Sequence, residues 1–159
     1  VLIYLLAYLF TNVGAFAVVT AIEDATGKLD IKDYSGLARR APWLAALLFF
    51  FLLSLTVIPP TGGFIGKFFV FGAAVQSQMW VLLAIAAINS VVAAFYYLNI
   101  VRYMFFVPAT EEGEPIRVGR PLQSALAITA VITLLLGIVP GRVIAWASES
   151  ARSLPLALR

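Results

Sequence analysis

Apolar residues fill four long stretches of this chain, and charged residues gather between and after them. The stretches cover residues 1–22, 41–76, 79–106 and 121–139. A helix needs about 20 predominantly apolar residues, within a range of about 17–25, to cross a membrane core of about 30 Å. Each stretch reaches that length, so the pattern predicts an all-α, polytopic membrane helical bundle. We expect about four crossings and a single membrane domain over residues 1–159.

The second stretch is too long for one straight helix. The roughly 33 residues from Trp43 to Gln76 would extend about 50 Å at helical rise. Proline disfavours helical backbone at and before its own position, and glycine tolerates unwound backbone. We therefore predict a helix break near residues 58–63, built from Pro59, Pro60, Thr61, Gly62 and Gly63. Two arrangements stay open: one crossing made of two half-helices, or a hairpin of two crossings.

The distribution of basic residues does not choose between these arrangements. Lys28, Lys32, Arg39 and Arg40 place the loop of residues 23–40 in the cytoplasm if the positive-inside rule holds. With one crossing, three more basic residues join that side; with two crossings, a different three do. Both arrangements put seven basic residues on one side and three on the other. With one crossing, the three that join the loop are Arg102, Arg117 and Arg120. With two crossings, they are Arg142, Arg152 and Arg159.

A short amphipathic segment follows the last apolar stretch. Pro140 and Gly141 end that stretch, and apolar residues then recur at helical spacing opposite charged ones. The pattern predicts an interfacial helix over about residues 141–153, lying along the membrane surface. A frayed tail is the alternative.

Composition supports a membrane protein and argues against redox or metal centres. Hydrophobic residues make up 62% of the chain and charged residues 12%, against about 25% charged residues in soluble domains. Most of the net charge of +3 lies in loops and tail, where it suits anionic lipid headgroups better than nucleic acid. Without cysteine or histidine, we expect no cofactor in this chain. Because Val1 already lies in an apolar run, we expect a longer parent protein.

Lys67 is the single formal charge between Ala41 and Val101. A lysine at membrane depth costs about 2.5–3.5 kcal/mol on insertion scales, so its presence indicates a function. Helical side chains lean toward their own N-terminus, which should bring its ammonium back to the predicted break. Snorkelling to the interface near Gln76 is the alternative, but nine residues of helix amount to about 14 Å. This distance favours the functional interpretation.

The surroundings expected for Lys67 include features that favour its neutral form and features that favour its charged form. Burial and the positive end of a following half-helix favour the neutral amine, whereas carbonyls freed at residues 55–58 favour the ammonium. A lysine balanced in this way can gain and lose a proton, which an arginine cannot do. We therefore predict that Lys67 is a proton relay.

Other polar residues inside the apolar stretches mark a candidate hydrated path. Such side chains also serve as simple hydrogen bonds between helices, which is the more common role for each alone. The path would use Thr11, Asn12, Ser54, Thr56, Asn89, Tyr96 and Tyr97.

The run Leu-Ser-Leu-Thr-Val-Ile-Pro-Pro-Thr-Gly-Gly-Phe-Ile-Gly-Lys-Phe over residues 53–68 resembles the signature of the antiporter-like membrane subunits of respiratory complex I. Further similarity lies at residues 8–16, 34–37, 89–90 and 96–98. Within that family the N-type bacterial subunits are most similar. Subunits of multisubunit sodium/proton antiporters resemble the Gly-Phe-Ile-Gly-Lys part of the run.

The resemblance implies a function and a set of partners. It implies the C-terminal part of a longer subunit, one broken crossing, and a match of Lys67 to the lysine of the family's broken helix. It further implies proton translocation in a bacterial inner membrane, as a non-redox subunit of NADH:quinone oxidoreductase. NADH, flavin, iron–sulfur clusters and quinone would then belong to partner subunits. The alternatives are a sodium/proton antiporter subunit, and a scaffold in which Lys67 pairs with a neighbour's carboxylate.

Overall fold

The computed structural model describes residues 2–109, 115–116, 118–141 and 145. The described part is helical and contains no strand. The predicted interfacial helix over residues 141–153 falls almost wholly outside these residues. The helices are α1 (Leu2–Thr26), α2 (Leu37–Arg40), α3 (Pro42–Leu55), α4 (Gly62–Gln76), α5 (Trp80–Phe106) and α6 (Arg120–Ile138), with a 3-10 turn at Ile31–Tyr34.

The apolar stretches correspond to helices that can span a membrane. By length and composition α1, α5 and α6 can each cross, while α3 and α4 are apolar but shorter. The predicted all-α membrane fold is confirmed. α1 continues past the predicted end at residue 22 to Thr26, whose hydroxyl donates to the Ile22 carbonyl at 2.7 Å. Gly27, with a φ of +67°, then ends the helix.

Contacts along α1 show that α3 and α4 follow one another across the membrane. A hairpin would turn α4 back along the same stretch of α1. Instead, residues of α1 that lie progressively closer to its N-terminus contact residues progressively farther along the chain, first in α3 and then in α4. The two half-helices therefore form one broken crossing, the arrangement that the resemblance implied. In order, the pairs are Gly14 with Phe51, Thr11 with Ser54, Ala7 with Gly62, and Tyr4 with Gly66.

The loops before α3 and after α5 meet at one end of the bundle. Gly36 donates its backbone N–H to the Tyr103 carbonyl at 3.3 Å and lies directly against Ala109. A left-handed φ of +69° at Gly36 makes this close approach possible. α4 and α5 are joined by a short turn at the opposite end, where Gln78 has a φ of +55°.

An apolar core lies in the half of the bundle nearest these loops. Its fully buried members come from α1, α2, α3, α5 and α6, and include Val18, Leu44, Leu48, Met104 and Leu126. Farther along α1 and α3 the interface becomes polar, at Thr11 and Ser54. The end of α6 covers one side of the break, because Gly137 packs against Pro60 and Thr61. The polar contact between Thr11 and Ser54 therefore lies next to the break.

Candidate functional site: a lysine beside a helix break

The helix break begins earlier than the sequence suggested. α3 ends at Leu55 and α4 begins at Gly62, so residues 56–61 rather than 58–63 are non-helical. Val57, with a φ of +71°, donates to the Ser54 carbonyl at 3.3 Å, and Ile58 donates to the Leu53 carbonyl at 3.2 Å. These two bonds form a Schellman motif, which ends α3 ahead of the prolines. Left-handed backbone at a β-branched residue costs about 1–3 kcal/mol.

The two glycines after the prolines are helical, which corrects the prediction that they are unwound. Gly62 and Gly63 form the first turn of α4. A methyl group on Gly62 would lie 3.1 Å from the Thr133 carbonyl oxygen, and one on Gly63 would overlap the Ser54 carbonyl. These glycines therefore allow close helix packing at the break rather than unwinding of the backbone.

Lys67 reaches back across the break to the end of α3. The Schellman bonds occupy the carbonyls of Leu53 and Ser54, and the next carbonyl, that of Leu55, accepts a hydrogen bond from Lys67 Nζ at 3.3 Å. The direction is the one predicted from helix geometry. A cation at the C-terminus of α3 interacts favourably with the helix dipole. The side chain is half-buried.

The start of α4 is capped by α3 rather than by its own N-cap residue. Thr61 occupies the N-cap position, but its hydroxyl donates to the Ile58 carbonyl at 2.7 Å. The N–H of Gly63 instead donates to Ser54 Oγ at 3.2 Å. Ser54 Oγ also lies 3.2 Å from Thr11 Oγ1 of α1. Both hydroxyl residues are fully buried.

A cavity of about 190 Å³ lies beside Lys67; we call it the lysine cavity. Since a water molecule occupies about 30 Å³ in the liquid, the cavity has room for several. Hydroxyl, carbonyl and ammonium groups on its wall provide the polar partners that buried water requires. It is lined by Tyr4, Tyr8, Thr11, Ser54, Leu55, Gly63, Lys67 and Tyr97.

Two further cavities adjoin the lysine cavity. The side cavity, of about 330 Å³, shares Lys67 and Tyr4 with it and extends to Asn89 and Ser90 of α5. The apolar cavity, of about 380 Å³, shares Tyr8, Leu55 and Tyr97 with it and extends toward the loops. The three cavities share lining residues and lie in order from α5, past Lys67, to the loop end of the bundle.

Tyr34 lies where the apolar cavity meets the loops. Burial, together with the negative charges of Glu23 and Asp33, raises the pKa of Tyr34 above its ordinary value. A tyrosine hydroxyl is already protonated near neutral pH, and this shift acts in the same direction. It provides a neutral polar group at this end of the apolar cavity.

The structure brings only some of the predicted path residues to these cavities. Thr11, Ser54 and Tyr97 line the lysine cavity, Asn89 the side cavity and Asn12 the apolar cavity. Thr56 and Tyr96 line none of the three. The Thr56 hydroxyl donates to the Leu53 carbonyl at 2.8 Å, and the Tyr96 side chain is 60% exposed. A functional role for any of these residues stays a prediction.

Sequence reasoning did not select Tyr4 and Tyr8 for the site. Both line the lysine cavity, and their rings stack with centroids 5.6 Å apart. With Thr11 they recur at intervals of four and three residues, which places them on one helix face. A polar face on an otherwise apolar span was the signal that could have identified them.

Comparison with known proteins places these residues in a family context. Residues 1–93 match the profile of the transmembrane family described as NADH:quinone oxidoreductase/Mrp antiporter. NADH-quinone oxidoreductase subunit N of Moorella thermoacetica is 40% identical over 95% of this chain and 32% of its own length. Subunit N 2 of Roseiflexus castenholzii is 45% identical over 88% of this chain and 28% of its own length.

A solved structure of respiratory complex I from Thermus thermophilus contains a similar chain. The TM-score is 0.75 at 33% identity, over 90% of this chain and 33% of that one. This chain thus spans about a third of the length of the relatives it matches.

Proposed function

Because this chain belongs to the NADH:quinone oxidoreductase/Mrp antiporter transmembrane family, we propose that it is part of a proton-translocating membrane subunit of a bacterial respiratory complex I. Relatives named as subunit N and the similar chain of a complex I structure support this assignment. The activity belongs to the longer subunit and its complex. Other membrane subunits and the lipids of the bacterial inner membrane are its neighbours.

Lys67 is the proton-relay residue of this segment. Its Nζ lies on the lysine cavity and is bound to the carbonyl of Leu55. An ammonium group has three N–H donors, so it can bind cavity water as well as this carbonyl. Water hydrogen-bonded to Nζ can accept its proton and later return one. The contact of Lys67 with this polar space supports the function most strongly.

The surrounding hydroxyls order the water that exchanges protons with Lys67. Tyr4, Tyr8 and Tyr97 face the cavity from α1 and α5, and each hydroxyl can both donate and accept a hydrogen bond. Proton transfer to and from Lys67 is the chemistry of this chain. NADH oxidation and quinone reduction occur in partner subunits, which hold the flavin, iron–sulfur clusters and quinone.

Protons rather than sodium ions are the transported species. Sodium is a hard cation that a carboxylate binds through its negative charge as well as its oxygens, and the side chains lining the three cavities offer neutral oxygens but no carboxylate among the described residues. An ammonium at the centre of the site also repels a second cation. This distinguishes the proposed function from that of a sodium/proton antiporter subunit.

The test is proton translocation by the intact complex in sealed vesicles, with NADH as the energy source. Lys67→Ala should lower the protons moved per NADH at least about tenfold, because a positioned acid–base group is lost. Lys67→Arg should rescue poorly, since guanidinium does not release its proton at physiological pH. Lys32→Ala, which removes an exposed loop lysine, is the control for charge loss.

The amount of assembled complex is measured for every variant, and the assay is repeated at several sodium concentrations. Full translocation by assembled Lys67→Ala complex would overturn the relay role. Exchange of protons for sodium without NADH would instead support an antiporter.

A further inference from the structure

Ser54 joins three helices at the break through one hydroxyl. Its Oγ lies 3.2 Å from the N–H of Gly63 in α4 and 3.2 Å from Thr11 Oγ1 in α1. Ser54 itself belongs to the last turn of α3 and is fully buried. An N-cap side chain ordinarily comes from the residue before a helix. Here the acceptor comes from the preceding half-helix, nine residues earlier in the chain.

The hydrogen bond from Gly63 to Ser54 lies next to the bond that holds Lys67. Gly63 and Lys67 are four residues apart and share a face of α4. On the other side of the break, Ser54 and Leu55 are consecutive. Two neighbouring residues of α3 thus accept hydrogen bonds from two residues on one face of α4. Together they fix the first turn of α4 against the last turn of α3.

The spacing between these two turns leaves little freedom. A methyl group on Gly63 would overlap the Ser54 carbonyl, so the backbones are in direct contact there. The bond from Lys67 Nζ to the Leu55 carbonyl is 3.3 Å long, close to the upper limit for a hydrogen bond. A small shift of α4 would therefore break it.

We propose that Ser54 is a positioning residue for Lys67, which sets the distance between Lys67 Nζ and the Leu55 carbonyl by holding Gly63. Ser54 does not itself carry the proton. Thr11 supports it by fixing its hydroxyl from α1. This role rests on the proposed function of Lys67 as a proton relay.

The pH dependence of translocation reports on this role. The Leu55 carbonyl favours the charged form of Lys67, so loosening the contact should move the pH profile toward lower pH. The other titratable groups that face Lys67 are Tyr4 and Tyr8 of α1 and Tyr97 of α5. A change at Ser54 leaves all three in place. A merely structural role would lower the amount of complex without moving this profile.

The experiment compares hydroxyl deletions in the intact complex, with protons per NADH measured across pH and normalised to assembled complex. Ser54→Ala should lower translocation at neutral pH about tenfold, as a small misplacement of a reacting group does. Its profile should move by about one pH unit toward lower pH. Thr11→Val, which keeps the bond between Ser54 and Gly63, should have a smaller effect in the same direction.

Thr129→Val is the matched control, because the Thr129 hydroxyl bonds only to carbonyls of its own helix among the described residues. It should match the native protein. A Ser54→Ala complex with the native rate and profile, or with reduced assembly but a native profile, would overturn the positioning role. Lys67→Ala is run in parallel: if it loses translocation while Ser54→Ala does not, only the positioning role fails. Native translocation by Lys67→Ala would overturn the relay itself.

Discussion

Lys67 occupies the first acceptor that the end of α3 leaves open. Backbone N–H groups of Val57 and Ile58 occupy the two preceding carbonyls, and the ammonium takes the carbonyl of Leu55. The backward reach of Lys67 could be predicted from helix geometry. A carbonyl among residues 55–58 was the expected partner, but which of them accepts could not be predicted, because Schellman motifs are expected at glycine or asparagine, and here the left-handed residue is Val57.

Two adjacent tyrosines of α5 should differ in their importance. Tyr97 lines the wall shared by the lysine cavity and the apolar cavity, whereas Tyr96 points away from them and is largely exposed. Tyr97→Phe should therefore lower proton translocation several-fold, because one hydroxyl is lost from the route to Lys67. Tyr96→Phe should behave as the native protein does. From the sequence alone, both residues were equally good candidates for the hydrated path.

Translocation per assembled complex is the measurement for this pair. A larger loss in Tyr96→Phe than in Tyr97→Phe would contradict the proposed path. Equal native rates would exclude the Tyr97 hydroxyl from it.

At the scale of elements, small residues let α1 and α6 pack closely against the two half-helices. Gly14 lies under the Phe51 ring, Gly66 against Tyr4 and Gly137 against the break. The predicted apolar stretches agree with the bounds of these helices to within a few residues, because apolar length largely determines both. It placed the break late because the proline–glycine run marks the end of the non-helical segment rather than its beginning.

Two glycines of α4 provide a matched test of this packing. A methyl group on Gly66 would lie 3.0 Å from Cα of Tyr4, whereas one on Gly72 meets nothing within 4 Å. Gly66→Ala should destabilise the packing of α1 on α4 by about 1–3 kcal/mol, the usual cost of overpacking. Gly72→Ala should be neutral or slightly stabilising, since alanine favours helix.

The midpoint of thermal inactivation of the assembled complex measures the difference. Equal midpoints for Gly66→Ala and Gly72→Ala would contradict the close contact between α1 and α4.

At the scale of the whole molecule, a single broken crossing determines which ends of the helices lie together. Charge counting could not decide this because both arrangements gave the same totals. The contact of Gly36 with Tyr103 and Ala109 puts the loops before α3 and after α5 on one side. The positive-inside rule then predicts that this side is cytoplasmic.

Cysteine labelling tests this topology in a chain without native cysteine. Lys32→Cys and Ala109→Cys should react with a membrane-impermeant maleimide only from the cytoplasmic side. Gln78→Cys, in the turn between α4 and α5, should react only from the opposite side. A hairpin of two crossings would exchange Ala109 and Gln78, and that labelling pattern would refute the single crossing.

The most direct measurement asks whether position 67 needs a proton that can leave, or only a positive charge. Lys67→Cys complex is treated in detergent with aminoethyl or trimethylammonioethyl methanethiosulfonate, and modification is confirmed by mass spectrometry. Treated native complex serves as the control. After reconstitution, the aminoethyl adduct should restore NADH-driven proton translocation, because its amine exchanges protons as lysine does, while the permanently charged adduct should not. Equal recovery by both adducts, or full translocation by the unmodified cysteine variant, would contradict a proton relay at Lys67.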